Sequence, residues 1–148
     1  MLAGEFSFRL LVDWIKEAEM KTIFLAESEK HVRAALRLML ECQGDFTIAG
    51  EANHAESLLA QVCQQPPDVI LFDLNLPGLH PQRLLTALRH CCPETRILAC
   101  SVRPEQEKTA RELGVAAFLL KQLPPEQFFA ALVAAINDSA PLNTEEIS

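Results

Sequence analysis

The sequence predicts an α/β fold for residues 21–137, a single parallel sheet with helices on both faces. Two observations carry this. Five short, β-rich apolar runs alternate with stretches in which apolar residues recur at helical spacing. Most of the runs also lack the polar alternation of a half-exposed strand, as expected where both faces of a strand are covered.

The strands are expected at residues 22–26, 46–51, 68–73, 96–101 and 116–120. Each following segment carries one apolar stripe: Val32, Leu36, Met39 and Leu40; then Leu58, Leu59 and Val62; then Leu84, Leu85 and Leu88; and finally Phe129, Leu132, Val133 and Ile136. Only the fourth helix, at residues 104–113, has a weak stripe. Breakers agree with these bounds. Gly44 follows the first helix, Pro66 and Pro67 bar helix before the third strand, Pro93 closes the third helix, and Gly114 falls at a helix C-cap. Pro124 and Pro125 can open the last helix, where a missing N–H costs little. Five β-α units result, and a doubly wound, flavodoxin-like (βα)5 strand order is expected.

Residues 1–20 fall outside this pattern. Leu11, Trp14, Ile15 and Ala18 share one helical face with Leu10 beside them, which predicts an extra N-terminal amphipathic helix. Glu5, Asp13, Glu17 and Glu19 interrupt its apolar stretch, so it is not read as a secretory signal. Residues 138–148 read as a polar tail or the start of a linker.

At 148 residues the chain has room for one domain with a core of its own. No apolar run approaches the roughly 18 residues of a membrane span, and a cytoplasmic location is expected. The net charge is −7; residues 1–20 carry −2 and the tail from Asp138 carries −3, leaving −2 for residues 21–137. Such a body offers no electrostatic footprint for nucleic acid. Five cysteines, Cys42, Cys63, Cys91, Cys92 and Cys100, have no metal-ligand spacing, and their odd number suggests reduced thiols.

In an open parallel sheet the functional crevice lies beyond the carboxyl ends of the strands. The residues ending the apolar runs are Glu27 and Ser28, Asp73, Ser101, and Lys121. Asp73 is the sharpest: Val69, Ile70, Leu71 and Phe72 deliver its carboxylate to the sheet edge, before the turn-prone Leu76-Pro77-Gly78. A carboxylate there can attack a phosphoryl donor and form an acyl phosphate, if a divalent cation and a lysine offset the developing charge. Glu27 and Lys121 suit those tasks, Mg²⁺ is the cation such oxygen ligands favour, and Ser101 can hydrogen-bond the new group. Singly, each residue has a plainer explanation, as a helix cap, a strand end or a solvated lysine. Their joint position at the ends of four strands favours the functional one.

Residues 67–78, Pro-Asp-Val-Ile-Leu-Phe-Asp-Leu-Asn-Leu-Pro-Gly, and residues 114–121, Gly-Val-Ala-Ala-Phe-Leu-Leu-Lys, resemble the receiver domain of two-component response regulators, most closely the NarL/LuxR-type branch. The resemblance implies that Asp73 is the phosphoacceptor, that Asn75 lends a backbone carbonyl to the metal, and that Ser101 is the hydroxyl switch. It makes Phe118 the aromatic switch and Lys121 the phosphate partner. His80 and His90 match no role and are expected at loop or surface positions.

The resemblance further implies a sensor histidine kinase as phosphoryl donor, a readout face built from the fourth helix, fifth strand and fifth helix, and a possible homodimer through it. It implies a domain that catalyses its own phosphorylation rather than a free-standing enzyme. The tail is faintly similar to the start of a LuxR-type DNA-binding domain, so the chain reads as the receiver part of a transcription regulator.

One departure stands out. The family places two acidic residues after the first strand, where this chain has Glu27-Ser28, with Arg33 in the helix that follows. Mg²⁺ is therefore expected to bind weakly. The same pair motivates an alternative, a pseudo-receiver that binds partners without phosphorylation. A haloacid-dehalogenase-like phosphatase fits poorly, since Asn75 stands where that class needs an acid.

Overall fold

The structure is a computed structural model, and it describes residues 7–12 and 20–137. The strands are β1 (Lys21–Ala26), β2 (Phe46–Ala52), β3 (Val69–Asp73), β4 (Arg96–Ser101) and β5 (Ala117–Leu120). The helices are α1 (Lys30–Gln43), α2 (Ala55–Gln64), α3 (Pro81–Cys91), α4 (Glu107–Leu113) and α5 (Pro125–Asn137), with a 3₁₀ turn, Pro104–Gln106, leading into α4. All strand pairs are parallel, in the order β2-β1-β3-β4-β5, the flavodoxin-like arrangement expected from the sequence.

The near-continuous apolar runs have a direct cause: alternate residues of each central strand feed two separate cores. Phe24, Ala26, Ile70, Phe72, Ile97 and Ala99 pack with α2, α3 and Ala110 of α4. Ile23, Leu25, Val69, Leu71, Leu98 and Cys100 pack with Leu36 and Leu40 of α1 and Leu132 and Ile136 of α5. The weak stripe of α4 is also explained, since Ala110 is its one buried residue and the chain enters it through the 3₁₀ turn.

Helix ends follow local chemistry. Gly44 and Gly114 close α1 and α4 in the left-handed region, at φ 75° and 77°, which glycine adopts without Cβ strain. His54 and His80 are N-caps whose rings accept the N–H groups of Ser57 and Gln82 at 3.2 and 3.3 Å, a structural task consistent with the loop position expected for His80. His90 is exposed near the end of α3.

The expectation of five reduced thiols is corrected. Cys63 and Cys91, 28 residues apart, form a disulfide with Cα atoms 5.3 Å apart. They are the penultimate residue of α2 and the last of α3, and these helices cover the same face of the sheet, which brings together two positions that sequence spacing does not connect. Cys42, Cys92 and Cys100 are free, the last two buried.

Residues 7–12 are helical and expose Phe8, Leu10 and Leu11. Trp14, Ile15 and Ala18 of the expected amphipathic helix lie outside the described residues, as does the tail from Asp138. Among the described residues no helix is long and apolar enough to cross a membrane.

Candidate functional site

The strand order reverses direction between β1 and β3, and the crevice opened there by diverging connections is where the site forms. Asp73 ends β3 and is 8 % exposed. The turn that follows is closed by the Leu76 N–H on the Asp73 carbonyl at 3.0 Å. The same turn aims the Asn75 N–H at Asp73 Oδ1, at 2.7 Å. Asp73 Oδ2 accepts from the ammonium of Lys121.

Lys121 directly follows β5, and its backbone N–H extends the ladder to the Ser101 carbonyl at 2.8 Å. Its ammonium also forms an ion pair with Glu27 Oε1, so one cation lies between two buried carboxylates. Burial alone would lower the Lys121 pKa, but the bonds to Asp73 and Glu27 outweigh it and hold the pKa above its ordinary value. The lysine is therefore locked in its charged form.

Glu27 is 3 % exposed, one residue beyond β1. Its N–H bonds the Ala52 carbonyl of β2 at 2.9 Å, its Oε2 accepts the N–H of Glu29 at 3.0 Å, and its carbonyl accepts Arg33 Nη1 at 2.6 Å. Arg33 in turn pairs with Glu51 at 2.9 Å. The backbone that presents Glu27 is thus fixed from α1 and β2. Ser28 and Glu29 are exposed, and the Glu29 side chain makes no capping bond.

Ser101 ends β4 and is fully buried. Its Oγ accepts the Arg103 N–H at 3.0 Å and donates to Gln106 Oε1. Phe118 is half-buried, packs on the core beneath α4, and is the register partner of Ala99, two residues before Ser101 on the same face of β4. Cys100, one residue earlier on the opposite face, has its thiol pKa pushed up by burial, with Lys121 opposing the shift.

The structure brings Glu27, Asp73, Ser101 and Lys121 to one end of the sheet, with Asn75 at the rim and Phe118 a step below. Two carboxylates and a backbone carbonyl suit a hard divalent cation. Among the described residues no group of three or more His, Cys, Asp or Glu is arranged to hold a metal, and Ser28 is the position that leaves the acidic set one short. The sequence reading missed Gln106, which reaches in from the 3₁₀ turn. Its only signal was proximity to the end of β4.

The sequence profile of the response regulator receiver domain matches residues 23–133. The chain belongs to that family. The receiver is 33 % identical over 116 residues to the nitrate/nitrite response regulator protein NarL of Escherichia coli strain K12, a match spanning 77 % of this chain and 54 % of that protein. It is 27 % identical over 118 residues to the transcriptional regulatory protein DesR of Bacillus subtilis, spanning 80 % of this chain and 59 % of DesR. The chain spans a little over half the length of these relatives. Among solved structures, the signal receiver domain of the putative response regulator NarL from Mycobacterium tuberculosis matches with a TM-score of 0.69 and 27 % identity, over 81 % of this receiver and 99 % of that chain. These similarities put the receiver in the NarL/LuxR-type branch of two-component response regulators.

Proposed function

We propose that the receiver accepts a phosphoryl group on Asp73 from a sensor histidine kinase in the cytoplasm, and transmits the event through the face built from α4, β5 and α5. The observation that carries this reading is the convergence of Lys121 on two buried carboxylates at the sheet's carboxyl edge. A carboxylate oxygen of Asp73 attacks phosphorus, the P–N bond of the phosphohistidine breaks, and the released imidazole takes up a proton. Lys121, held charged, stays beside the group and offsets the negative charge the transfer adds.

Glu27, Asp73 and the Asn75 carbonyl are the residues that would hold Mg²⁺, which when bound neutralises charge on the transferring phosphoryl group. With Ser28 supplying no charge, the reading includes a weak site. Once Asp73 is modified, Ser101 turns its hydroxyl to the new acceptor oxygens, and Phe118 rotates inward behind it. That reshapes the surface beside α4. A homodimer or partner contact on this face, and a LuxR-type DNA-binding domain following this chain, complete the proposed pathway. The receiver is then a substrate that assists its own modification.

The test is intact mass after treatment with a small acyl-phosphate donor and Mg²⁺, for the wild type and Asp73→Ala. A phosphate-sized increment that needs both Asp73 and Mg²⁺ is the expected result. No increment at high Mg²⁺ would favour a phosphorylation-independent binding module.

A further inference from the structure

Ser101 carries one hydroxyl proton, and the resting structure has already assigned it. The Oγ accepts the Arg103 N–H at 3.0 Å and donates to Gln106 Oε1. Gln106 is itself oriented by a two-sided contact with Asn75: Asn75 Nδ2 donates to Gln106 Oε1 at 3.2 Å, and Gln106 Nε2 donates to Asn75 Oδ1 at 3.3 Å. Asn75 is anchored at the acceptor, through its N–H on Asp73 Oδ1 at 2.7 Å. A continuous chain of bonds thus runs from Asp73 through Asn75 and Gln106 to Ser101. Gln106 closes the 3₁₀ turn that leads into α4, so the same side chain ties the acceptor loop and the hydroxyl to the start of that helix.

We propose that Gln106 is a latch on Ser101: its amide oxygen competes with oxygens of a group on Asp73 for the single hydroxyl proton, and holds the segment before α4 in its resting position until displaced. This rests on the reading of Asp73 as phosphoacceptor and adds a residue to it. Ser101 is fully buried, and its Oγ meets the Arg103 N–H and the Gln106 amide oxygen. In the exchange one hydrogen bond is given up as the other forms, and release of Gln106 frees the turn. Gln106 is a positioning residue that acts through Ser101, and it takes no part in bond making at Asp73.

The experiment titrates beryllofluoride with Mg²⁺, a stable mimic of the phosphoryl group, and follows the bound fluorine signal by ¹⁹F NMR. The proteins are the wild type, Gln106→Ala, Gln106→Leu, Ser101→Ala and Gln106→Ala/Ser101→Ala. Removing the competing acceptor is expected to tighten the complex by about three- to tenfold, the range of one hydrogen bond exchanged. Gln106→Leu keeps bulk but offers no acceptor, so it must behave like Gln106→Ala; a merely steric role would separate the two. The gain must vanish in the Ser101→Ala background.

Affinity in Gln106→Ala equal to or weaker than wild type, or a gain that survives Ser101→Ala, would overturn the latch while leaving Asp73 as acceptor. No complex in any of the five proteins would overturn the phosphoacceptor reading itself, and the latch with it.

Discussion

Replacing Lys121 with methionine keeps an unbranched side chain, one atom shorter, and removes its charge. Glu27 and Asp73, whose side chains are only 3 % and 10 % exposed, then face each other across the same space with no cation between them. Breaking a buried ion pair by deleting one partner costs about 3–5 kcal/mol, because the remaining charge is left desolvated. That is a large share of the roughly 5–15 kcal/mol by which domains are stable. Urea unfolding with divalent cations chelated measures it. Lys121→Met is expected to lose stability in this range at neutral pH with an unchanged m-value, and adding Glu27→Gln, which removes one of the two stranded charges, is expected to restore a substantial part. The pH dependence has a definite sign. The folded pKa of Lys121 lies above its ordinary value of 10.5, so the lysine's contribution is fully present below about 10.5 and is lost as pH rises through the folded value. The gap between wild type and Lys121→Met should therefore be flat from neutral pH to about 10 and narrow above it. A loss below about 1 kcal/mol, the size of an exposed pair, would refute the claim that these groups form one desolvated cluster.

The remaining predictions concern the metal, the disulfide and the thiols. Ser28→Asp restores the missing carboxylate and should tighten Mg²⁺ binding roughly tenfold, as expected of one added charge near water; isothermal titration with the ion alone reads this. The Cys63–Cys91 bridge closes a loop with a separation of 28 residues, so loop-closure entropy assigns it about 3–4 kcal/mol. Reductant should lower the urea midpoint of the wild type and leave that of Cys63→Ser/Cys91→Ser unmoved. In the oxidised native protein Cys42 is exposed, while burial of Cys92 and Cys100 pushes both thiols up. A disulfide reagent such as Ellman's should therefore titrate one fast thiol, with the other two appearing only on unfolding.

The strands were legible because burial on both faces leaves an unmistakable trace. Val69 to Phe72 has no polar residue, since its side chains alternate between two cores and neither face meets water. The same burial exposed the site: where an apolar run must end at the sheet edge, its first polar residue lies in the crevice, as Asp73, Ser101 and Glu27 do. Lys121 was legible for the same reason, but its double pairing was not, because that depends on the register of β1 against β3, which pairs Ala26 with Phe72 and so sets Glu27 beside Asp73. Gln106 escaped because its position is set by a 3₁₀ turn, which has no periodic signature, and glutamine is common on surfaces. The disulfide escaped because pairing of Cys63 with Cys91 requires two helix ends to meet, and helix packing on a shared sheet face leaves no mark in residue spacing.

The central claim, that Asp73 is the phosphoacceptor, is tested most directly by chemical trapping. The protein is treated with an acyl-phosphate donor and Mg²⁺, then with borohydride, which reduces an aspartyl phosphate to homoserine, and peptide mass spectrometry locates the converted residue. Homoserine at position 73 alone, dependent on Mg²⁺, is the predicted result. Conversion at another aspartate, or none at all in a protein shown to be folded, would contradict it.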